Sequence, residues 1–156
     1  MPGFIAEISK DKLLGNFGNS RMKSLISGTI TNSKTYFVER HTINKFLNDK
    51  AFYEDDDFIV LTEGVILNSL ALQKKYFGTE KSNANLMAEI AIAMYKEKGE
   101  RFFADFRGSF SGLFYDKKAD LWLIYTNHVG DKQVFYTQTE NGIAFASEIT
   151  LAYRLP

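Results

Sequence analysis

The sequence contains no cysteine, and this absence excludes several kinds of chemistry at once. Without a thiol the chain has no thiolate nucleophile, no thiolate metal site and no disulfide framework. A chain without cysteine also fits the cytoplasm, which is the localisation that we predict. The sequence further lacks the GxSxG turn of a hydrolase and the GxxxxGK[ST] loop that binds phosphates.

An excess of charge of one sign is missing as well, because 19 Lys and Arg residues balance 19 Asp and Glu residues. Nucleic acids and anionic membrane surfaces are normally bound through a basic excess, so we expect no nucleic-acid and no membrane partner. No apolar run approaches the roughly 20 residues that span a bilayer. The first residues also lack the basic stretch and the long apolar core of a signal peptide.

What the sequence does contain is typical of one globular domain. Hydrophobic residues make up 45% of the 156 residues and charged residues 24%. A chain of this length buries roughly 70% of its unfolded surface, so it needs no metal or disulfide for stability. Fourteen Phe and eight Tyr residues favour packed β-sheets.

The order of the predicted elements indicates an α+β domain, with strands first, then two consecutive helices, then a β meander. Apolar and β-branched runs predict the strands, and apolar residues at 3–4 spacing predict the helices. Gly78 and Gly99 are expected to end the two helices, and Asn141-Gly142 is typical of a type I′ hairpin. Residues 10–24 are predicted to form a polar loop. The predicted strands are 3–9, 27–31, 36–40, 58–62, 109–115, 121–125, 133–139 and 143–146, and the predicted helices are 66–77 and 84–98.

Four groups of polar residues have both a functional and a simpler structural interpretation. The acidic run 54–57 could bind a hard cation, but it lacks the glycine turn of a calcium loop, so we favour a solvated turn. His41 and His128 lack metal-ligand spacing, and we expect no metal site. Arg107-Gly108 could form an anion-binding turn, although such a glycine more often starts a strand. Arg40 could bind a carboxylate, and an exposed arginine at a strand end is the alternative that composition favours.

Five segments follow one another in an order that a known family shares. They resemble, in turn, the MCGI start, the substrate-arginine segment, the NGEIYN segment, the stretch from YxEKG to RDxxGxKPLYY, and the FASE segment of class II glutamine amidotransferases, in particular those of asparagine synthetases. The resemblance implies an α+β fold, a four-layer α-β-β-α sandwich of the N-terminal-nucleophile hydrolase type. Over residues 10–35 it is weak, and the HRGPD motif is absent. The five segments are MPGFIAEIS (1–9), VERHTIN (38–44), LTEGVILN (61–68), MYKEKG to VFYT (94–137) and FASEI (145–149).

The resemblance places Pro2 where active members of the family carry their nucleophile. In those members, removal of the initiator methionine exposes a cysteine, whose thiolate attacks the glutamine amide with the α-amine as base. Proline has no thiol or hydroxyl, so acyl transfer through its side chain is excluded. The position of the catalytic nucleophile is therefore vacant in this sequence.

Other positions that the resemblance assigns to the glutamine pocket have changed too. Glu63 takes the place of an asparagine whose N–H group stabilises the oxyanion, and a carboxylate there would repel that charge. Val65 replaces the glutamate that binds the substrate amine, and Met87 aligns with the substrate-binding aspartate. Gly64 and Arg40 remain, as the oxyanion-hole glycine and the carboxylate-binding arginine.

The resemblance thus implies a catalytically silent, glutaminase-like domain with a structural or partner-docking role. Arg40, Glu63 and Gly64 would form a vestigial substrate pocket, in which we expect Arg40 to pair with Glu63 or another protein acceptor. Two other functions stay open, a residual glutamine amidotransferase that supplies ammonia and a sensor of a small amide or amino acid.

The expected partner is an ATP-dependent, amide-forming synthetase domain, on the same chain or on a partner chain. We expect residues 1–156 to be one glutamine amidotransferase type 2-like domain, the N-terminal part of a longer asparagine synthetase-related protein. We expect no cofactor in this domain, since ATP and Mg belong to the synthetase domain, whose SGGxDS loop does not occur here. A homodimer is a further possibility.

Overall fold

A computed structural model describes residues 3–11, 26–42, 52–78, 83, 85–138 and 140–152, without the side chains of 26–32, 42, 150 and 151. The chain divides into two compact units, Met1–Asp49 with Gln133–Pro156, and Lys50–Lys132. Pro2 and nearly all of the predicted loop 10–24 lie outside the described residues. No helix within the described ranges is long and apolar enough to cross a membrane.

The elements follow the predicted order of strands, two helices and further strands. The last four strands do not form the predicted β meander, because the strands within 108–126 pair in one sheet and those within 135–146 pair in another. In the described ranges the elements are β1 Gly3–Ser9, β2 Ile26–Asn32, β3 Tyr36–Thr42, β4 Phe52–Glu54, β5 Phe58–Ile66, α1 Ser69–Phe77, α2 Leu86–Lys98, a 3₁₀ helix Gly99–Asp105, β6 Gly108–Asp116, β7 Leu121–Thr126, β8 Phe135–Gln138, β9 Gly142–Ala146 and α3 Ile149–Ala152.

The first unit contains an antiparallel sheet with the strand order β2-β3-β1-β9-β8. The N-terminal strand β1 is central, as its apolar sequence predicts, because both of its edges pair with other strands. Ile5, Phe37 and Ala146 form a buried cluster on this sheet. The start of β1 is fixed by the Phe4 N–H, which donates to Ser147 Oγ at 2.8 Å, and by the Ser147 N–H, which donates to Phe4 O at 2.9 Å.

The second unit is an antiparallel sheet of order β4-β5-β6-β7 packed against α1, α2 and the 3₁₀ helix. Alternate residues of a strand share one face of the sheet, and residues at 3–4 spacing share one face of a helix. The apolar face of the sheet and the apolar faces of the helices can therefore be buried against each other. The resulting core is rich in aromatic rings, several of them in edge-to-face contact. Its fully buried members include Val60, Ile90, Ala91, Met94, Phe102, Phe106, Phe110 and Phe114.

Both helices end at the predicted glycines, but the first starts later than predicted. Gly78 has φ +69° and donates its N–H to Lys74 O at 3.0 Å, and Gly99 has φ +66°. The predicted helix 66–77 begins instead at Ser69, because Ile66 still pairs with Gly108 as the last residue of β5. Strand pairing therefore overrides helical periodicity at this boundary.

The hairpin predicted at Asn141-Gly142 is present, but its type I′ turn is not. Gly142 is the first residue of β9 and lacks the positive φ that a type I′ turn requires. A Cβ atom on Gly142 would lie 2.0 Å from Ile8 O on the neighbouring strand β1. Glycine is needed here for the close approach of two strands, not for the turn.

Candidate functional site

The substrate-arginine position lies next to the start of β1 in the first unit. Gly3, which follows Pro2 directly, pairs with His41 in β3, and Phe4 pairs with Arg40. The half-buried Arg40 is thus held on the strand beside β1, which begins one residue after the nucleophile position. The backbone register of this sheet is compatible with the roles that the resemblance assigns to these two positions.

The positions that match the oxyanion hole lie near the end of β5 in the second unit. Glu63 is buried, with 7% of its surface exposed, and it pairs across the sheet with Ser111. Lys132 Nζ lies 3.6 Å from Glu63 Oε1, which makes an ion pair. The cationic partner reduces the cost of burying the Glu63 carboxylate.

Sequence reasoning missed Lys132 as a member of this site. It belongs to the segment that resembles RDxxGxKPLYY, a motif that indicates the family without assigning a role to this lysine. Its partner is 69 positions away in sequence, and no local pattern joins the two. Arg40 lies in the first unit and Glu63 in the second, and the pairing expected between them stays a prediction.

Gly64 has a backbone conformation that only glycine adopts readily. Its φ is +101°, and a Cβ atom there would lie 2.2 Å from Ser109 O on the adjacent strand β6. Side chains strain the backbone at such angles, and this one would also separate the two strands. The glycine that the resemblance assigns to the oxyanion hole therefore has a structural requirement of its own.

The two positions that would bind the substrate amine carry no charge in this chain. Val65 is 48% exposed at the end of β5. Met87, in the first turn of α2, packs against the aromatic core of the second unit. Neither side chain can form an ion pair with an ammonium group.

The acidic run 54–57 forms the predicted turn. Asp55 Oδ1 accepts hydrogen bonds from the backbone N–H groups of Asp57 at 2.8 Å and Phe58 at 2.6 Å. Lys117 pairs with Glu54 at 2.9 Å, and Lys118 Nζ lies 2.8 Å from Asp57 Oδ2. Burial raises the pKa of Asp55, but hydrogen bonds from the Tyr53 hydroxyl and these two N–H groups, with the Lys117 charge, leave that pKa below its usual value.

The histidines lie in different units. His41 is fully buried in β3, with Nε2 3.3 Å from Glu39 Oε1, whereas His128 is exposed in a turn after β7. Within the part of the chain that the structure describes, no group of three or more His, Cys, Asp or Glu side chains is placed to hold a metal ion.

Comparisons with known proteins match most of the chain. The family model described as a glutamine amidotransferase domain matches residues 39–153. The chain is 30% identical over 92 residues to asparagine synthetase B [glutamine-hydrolyzing] of Escherichia coli (strain K12). This alignment covers 58% of this chain and 17% of that protein. The chain is also 30% identical over 107 residues to asparagine synthetase [glutamine-hydrolyzing] 2 of Bacillus subtilis (strain 168), covering 66% of this chain and 14% of the relative.

A solved structure shows the fold. Glutamine phosphoribosylpyrophosphate (PRPP) amidotransferase from B. subtilis, complexed with ADP and GMP, superposes with a TM-score of 0.52 over 96% of this chain and 36% of that one, at 9% identity. This likeness, together with the two antiparallel sheets, confirms the predicted α+β fold of the N-terminal-nucleophile type. The chain spans less than a fifth of the length of either curated relative.

Proposed function

Because the chain belongs to the glutamine amidotransferase domain family and is related to asparagine synthetases, we propose that it is a catalytically silent member with a structural or partner-docking role. The observation that carries the proposal is Pro2 at the nucleophile position. Acyl transfer in this family needs a side chain that attacks the amide carbon, and proline supplies none.

The arrangement around Glu63 supports the same conclusion. An oxyanion hole works by directing hydrogen-bond donors at the oxygen that becomes negative. Here the corresponding side chain is a buried carboxylate, and the nearby ammonium of Lys132 is engaged by that carboxylate at 3.6 Å. The charge that could stabilise an oxyanion is thus neutralised within the protein, while Val65 offers no partner for a substrate amine.

Exposed apolar side chains next to this site support a docking role. Val65 at the end of β5, Leu67 after it and Leu70 in α1 are 48%, 77% and 65% exposed. Neighbouring apolar side chains left open to water are typical of interaction surfaces. We propose that they contact an ATP-dependent, amide-forming synthetase domain, on the same chain or a partner chain, and that ATP and Mg bind there and not in this domain.

An ammonia-release assay tests the catalytic part of the proposal. The full chain is incubated with glutamine and ammonia is measured continuously, with the glutamine-hydrolysing asparagine synthetase B of E. coli as positive control. We expect no release above buffer. Steady turnover would contradict the proposal and favour the residual amidotransferase.

A Pro2→Cys variant separates the missing nucleophile from the changed pocket. Mass spectrometry first establishes that the initiator methionine has been removed, so that the cysteine is N-terminal. We expect this variant to remain inactive with glutamine, since Glu63 still opposes the oxyanion and Val65 cannot hold the amine. Full glutaminase activity after this one change would show that the pocket is intact and our interpretation of it wrong.

Calorimetric titration with glutamine tests the sensor alternative. We expect no saturable heat at micromolar to millimolar glutamine. Micromolar binding that is lost in Arg40→Ala would assign the pocket to ligand sensing.

A further inference from the structure

A cavity of about 410 Å³ lies in the second unit between the 3₁₀ helix and the end of β7. This volume falls within the range of small-molecule sites, roughly 300–1,000 Å³. None of Arg40, Glu63 and Gly64, the residues of the vestigial glutamine pocket, lines this cavity. Its lining combines apolar side chains with polar ones, namely Phe103, Ala104, Phe106 and Phe110 with Arg107, Thr126 and His128.

The phenylalanine rings of the lining are held in place by aromatic packing. Phe106 and Phe110 are almost fully buried, and their rings meet edge to face at 5.5 Å between centroids. Phe103 stacks on Tyr125 with 5.3 Å between ring centroids and an interplanar angle of 9°. Rings held in this way present a preformed surface to a flat or compact apolar group, so little ordering is required on binding.

The lining also contains the guanidinium group of Arg107, whose orientation is fixed by hydrogen bonds to backbone carbonyl groups. Arg107 Nη1 donates to Ala104 O at 2.8 Å and to Phe106 O at 3.0 Å. Arg107 Nε and Nη2 have no hydrogen-bond partner among the described residues. The nearby Asp105 carboxylate is paired with Lys98, so it is already engaged by another cation.

From this combination we propose that the cavity binds a small carboxylate with an aromatic or compact apolar body. The planar fork of an arginine matches a carboxylate, with two N–H groups donating to two oxygens. The phenylalanine rings would cover the apolar body, and the His128 imidazole N–H can donate a further hydrogen bond to the carboxylate. We propose reversible binding at this site and no covalent step.

The test is a titration of the full chain with phenylacetate, followed through backbone amide chemical shifts. We expect saturable shifts confined to residues 103–110 and 126–130. Phenylacetamide, which has the same shape without the charge, should bind on the order of tenfold or more weakly, because the charge-assisted hydrogen bonds are lost. Acetate, which lacks the apolar body, should produce no saturation in the same range.

Two variants test the cavity from opposite sides. Arg107→Gln removes the cation and should weaken phenylacetate binding roughly tenfold to a hundredfold. Ala104→Phe keeps the cation and fills the cavity, and it should abolish binding. Arg101→Gln, an exposed arginine on the same 3₁₀ helix but outside the lining, is the matched control and should bind as the unchanged chain does.

Several outcomes would overturn the proposal. Absence of saturable binding by the unchanged chain, equal affinity for phenylacetate and phenylacetamide, or unchanged binding by either cavity variant would each do so. Far-ultraviolet circular dichroism and thermal unfolding show whether each variant is folded. If Arg107→Gln does not fold, Ala104→Phe together with the phenylacetamide comparison still decides the question. None of these results depends on glutamine hydrolysis, so they are independent of the proposed function.

Discussion

Replacing Gly64 by alanine tests the geometry of the segment that matches the oxyanion hole. At φ +101° an L residue is strained, and such conformations cost about 1–3 kcal/mol. The added Cβ would also lie 2.2 Å from Ser109 O, so β5 and β6 must separate, and overpacking of this kind costs about 1–3 kcal/mol. Together these effects predict a loss of about 3 kcal/mol in the free energy of unfolding.

The measurement is thermal unfolding of Gly64→Ala beside a matched control. For a chain of this size a change of 3 kcal/mol corresponds to a decrease of about 6–12 °C in Tm. Gly130→Ala is the control, because Gly130 also has positive φ, +67°, but no atom lies within 4 Å of the added Cβ. It should lose only about 1 kcal/mol, or roughly 2–4 °C. If Gly64→Ala loses no more than Gly130→Ala, the close contact with Ser109 does not exist and the strand geometry at this site is wrong.

Three further changes have defined outcomes in urea unfolding. Asp55→Ala should lower the free energy of unfolding by about 1–2 kcal/mol at neutral pH, since two backbone N–H groups lose their acceptor. Because the folded-state pKa of Asp55 is lowered, that difference should persist above the ordinary carboxyl range and vanish as the pH falls through the lowered pKa. Burial raises the pKa of Tyr125, so the stability of the unchanged chain should decline as the pH rises above about 10. The free energy of unfolding of Tyr125→Phe should decline less over that pH range. At pH 7 it should be about 1 kcal/mol lower than that of the unchanged chain, because Thr62 loses its hydrogen-bond partner at 2.7 Å. Lys132→Met should lower the free energy of unfolding by about 1–3 kcal/mol, because the buried Glu63 carboxylate loses its cation, and adding Glu63→Gln should recover most of this loss. Simple additivity of the two changes would mean that the pair contributes nothing.

Most of the fold could be predicted because its elements are strongly patterned. The 3–4 spacing of Ile90, Ala91 and Met94 predicts α2, and those residues are fully buried. The run GFIAEIS predicts a buried strand, and β1 is indeed paired on both edges. In each case the local signal and the tertiary environment favour the same structure, which is the condition under which sequence patterns are reliable.

The features that sequence reasoning missed depend on contacts between distant residues. The 3₁₀ helix Gly99–Asp105 follows α2 directly and is held by the packing of Phe102 in the aromatic core, which no local period indicates. Helix α1 begins at Ser69 and not at the predicted residue 66, because β5 continues its pairing with β6 through Ile66. The ion pair between Glu63 and Lys132 joins two segments that were each interpreted separately.

At Arg107-Gly108, too, the local structure could be predicted from the sequence, whereas the cavity could not. The sequence at Arg107-Gly108 allows an anion-binding turn or the start of a strand, and Gly108 does start β6. A Cβ atom on Gly108 would lie 2.1 Å from Val65 O, so the close pairing with β5 accounts for the glycine. The cavity beside Arg107 could not be foreseen, because its walls come from the 3₁₀ helix and from the distant end of β7.

The contacts of the family-like segments distinguish residues that support the fold from residues that would support chemistry. Ser147 of the FASE-like segment exchanges two hydrogen bonds with Phe4 and so fixes the start of β1. Asn68, the last residue of the NGEIYN-like segment, donates to Asp105 O and accepts from the Arg107 N–H, each at 2.9 Å.

Four of the positions that the resemblance assigns to chemistry carry other residue types, namely Pro2, Glu63, Val65 and Met87, whereas Arg40 and Gly64 are retained. A domain that hydrolyses glutamine needs both sets of residues, whereas a domain that only supports or docks to a synthetase needs the first set alone. The loss of the nucleophile and of three pocket residues, beside the retention of residues with structural contacts, therefore supports the proposed silent domain over the residual amidotransferase.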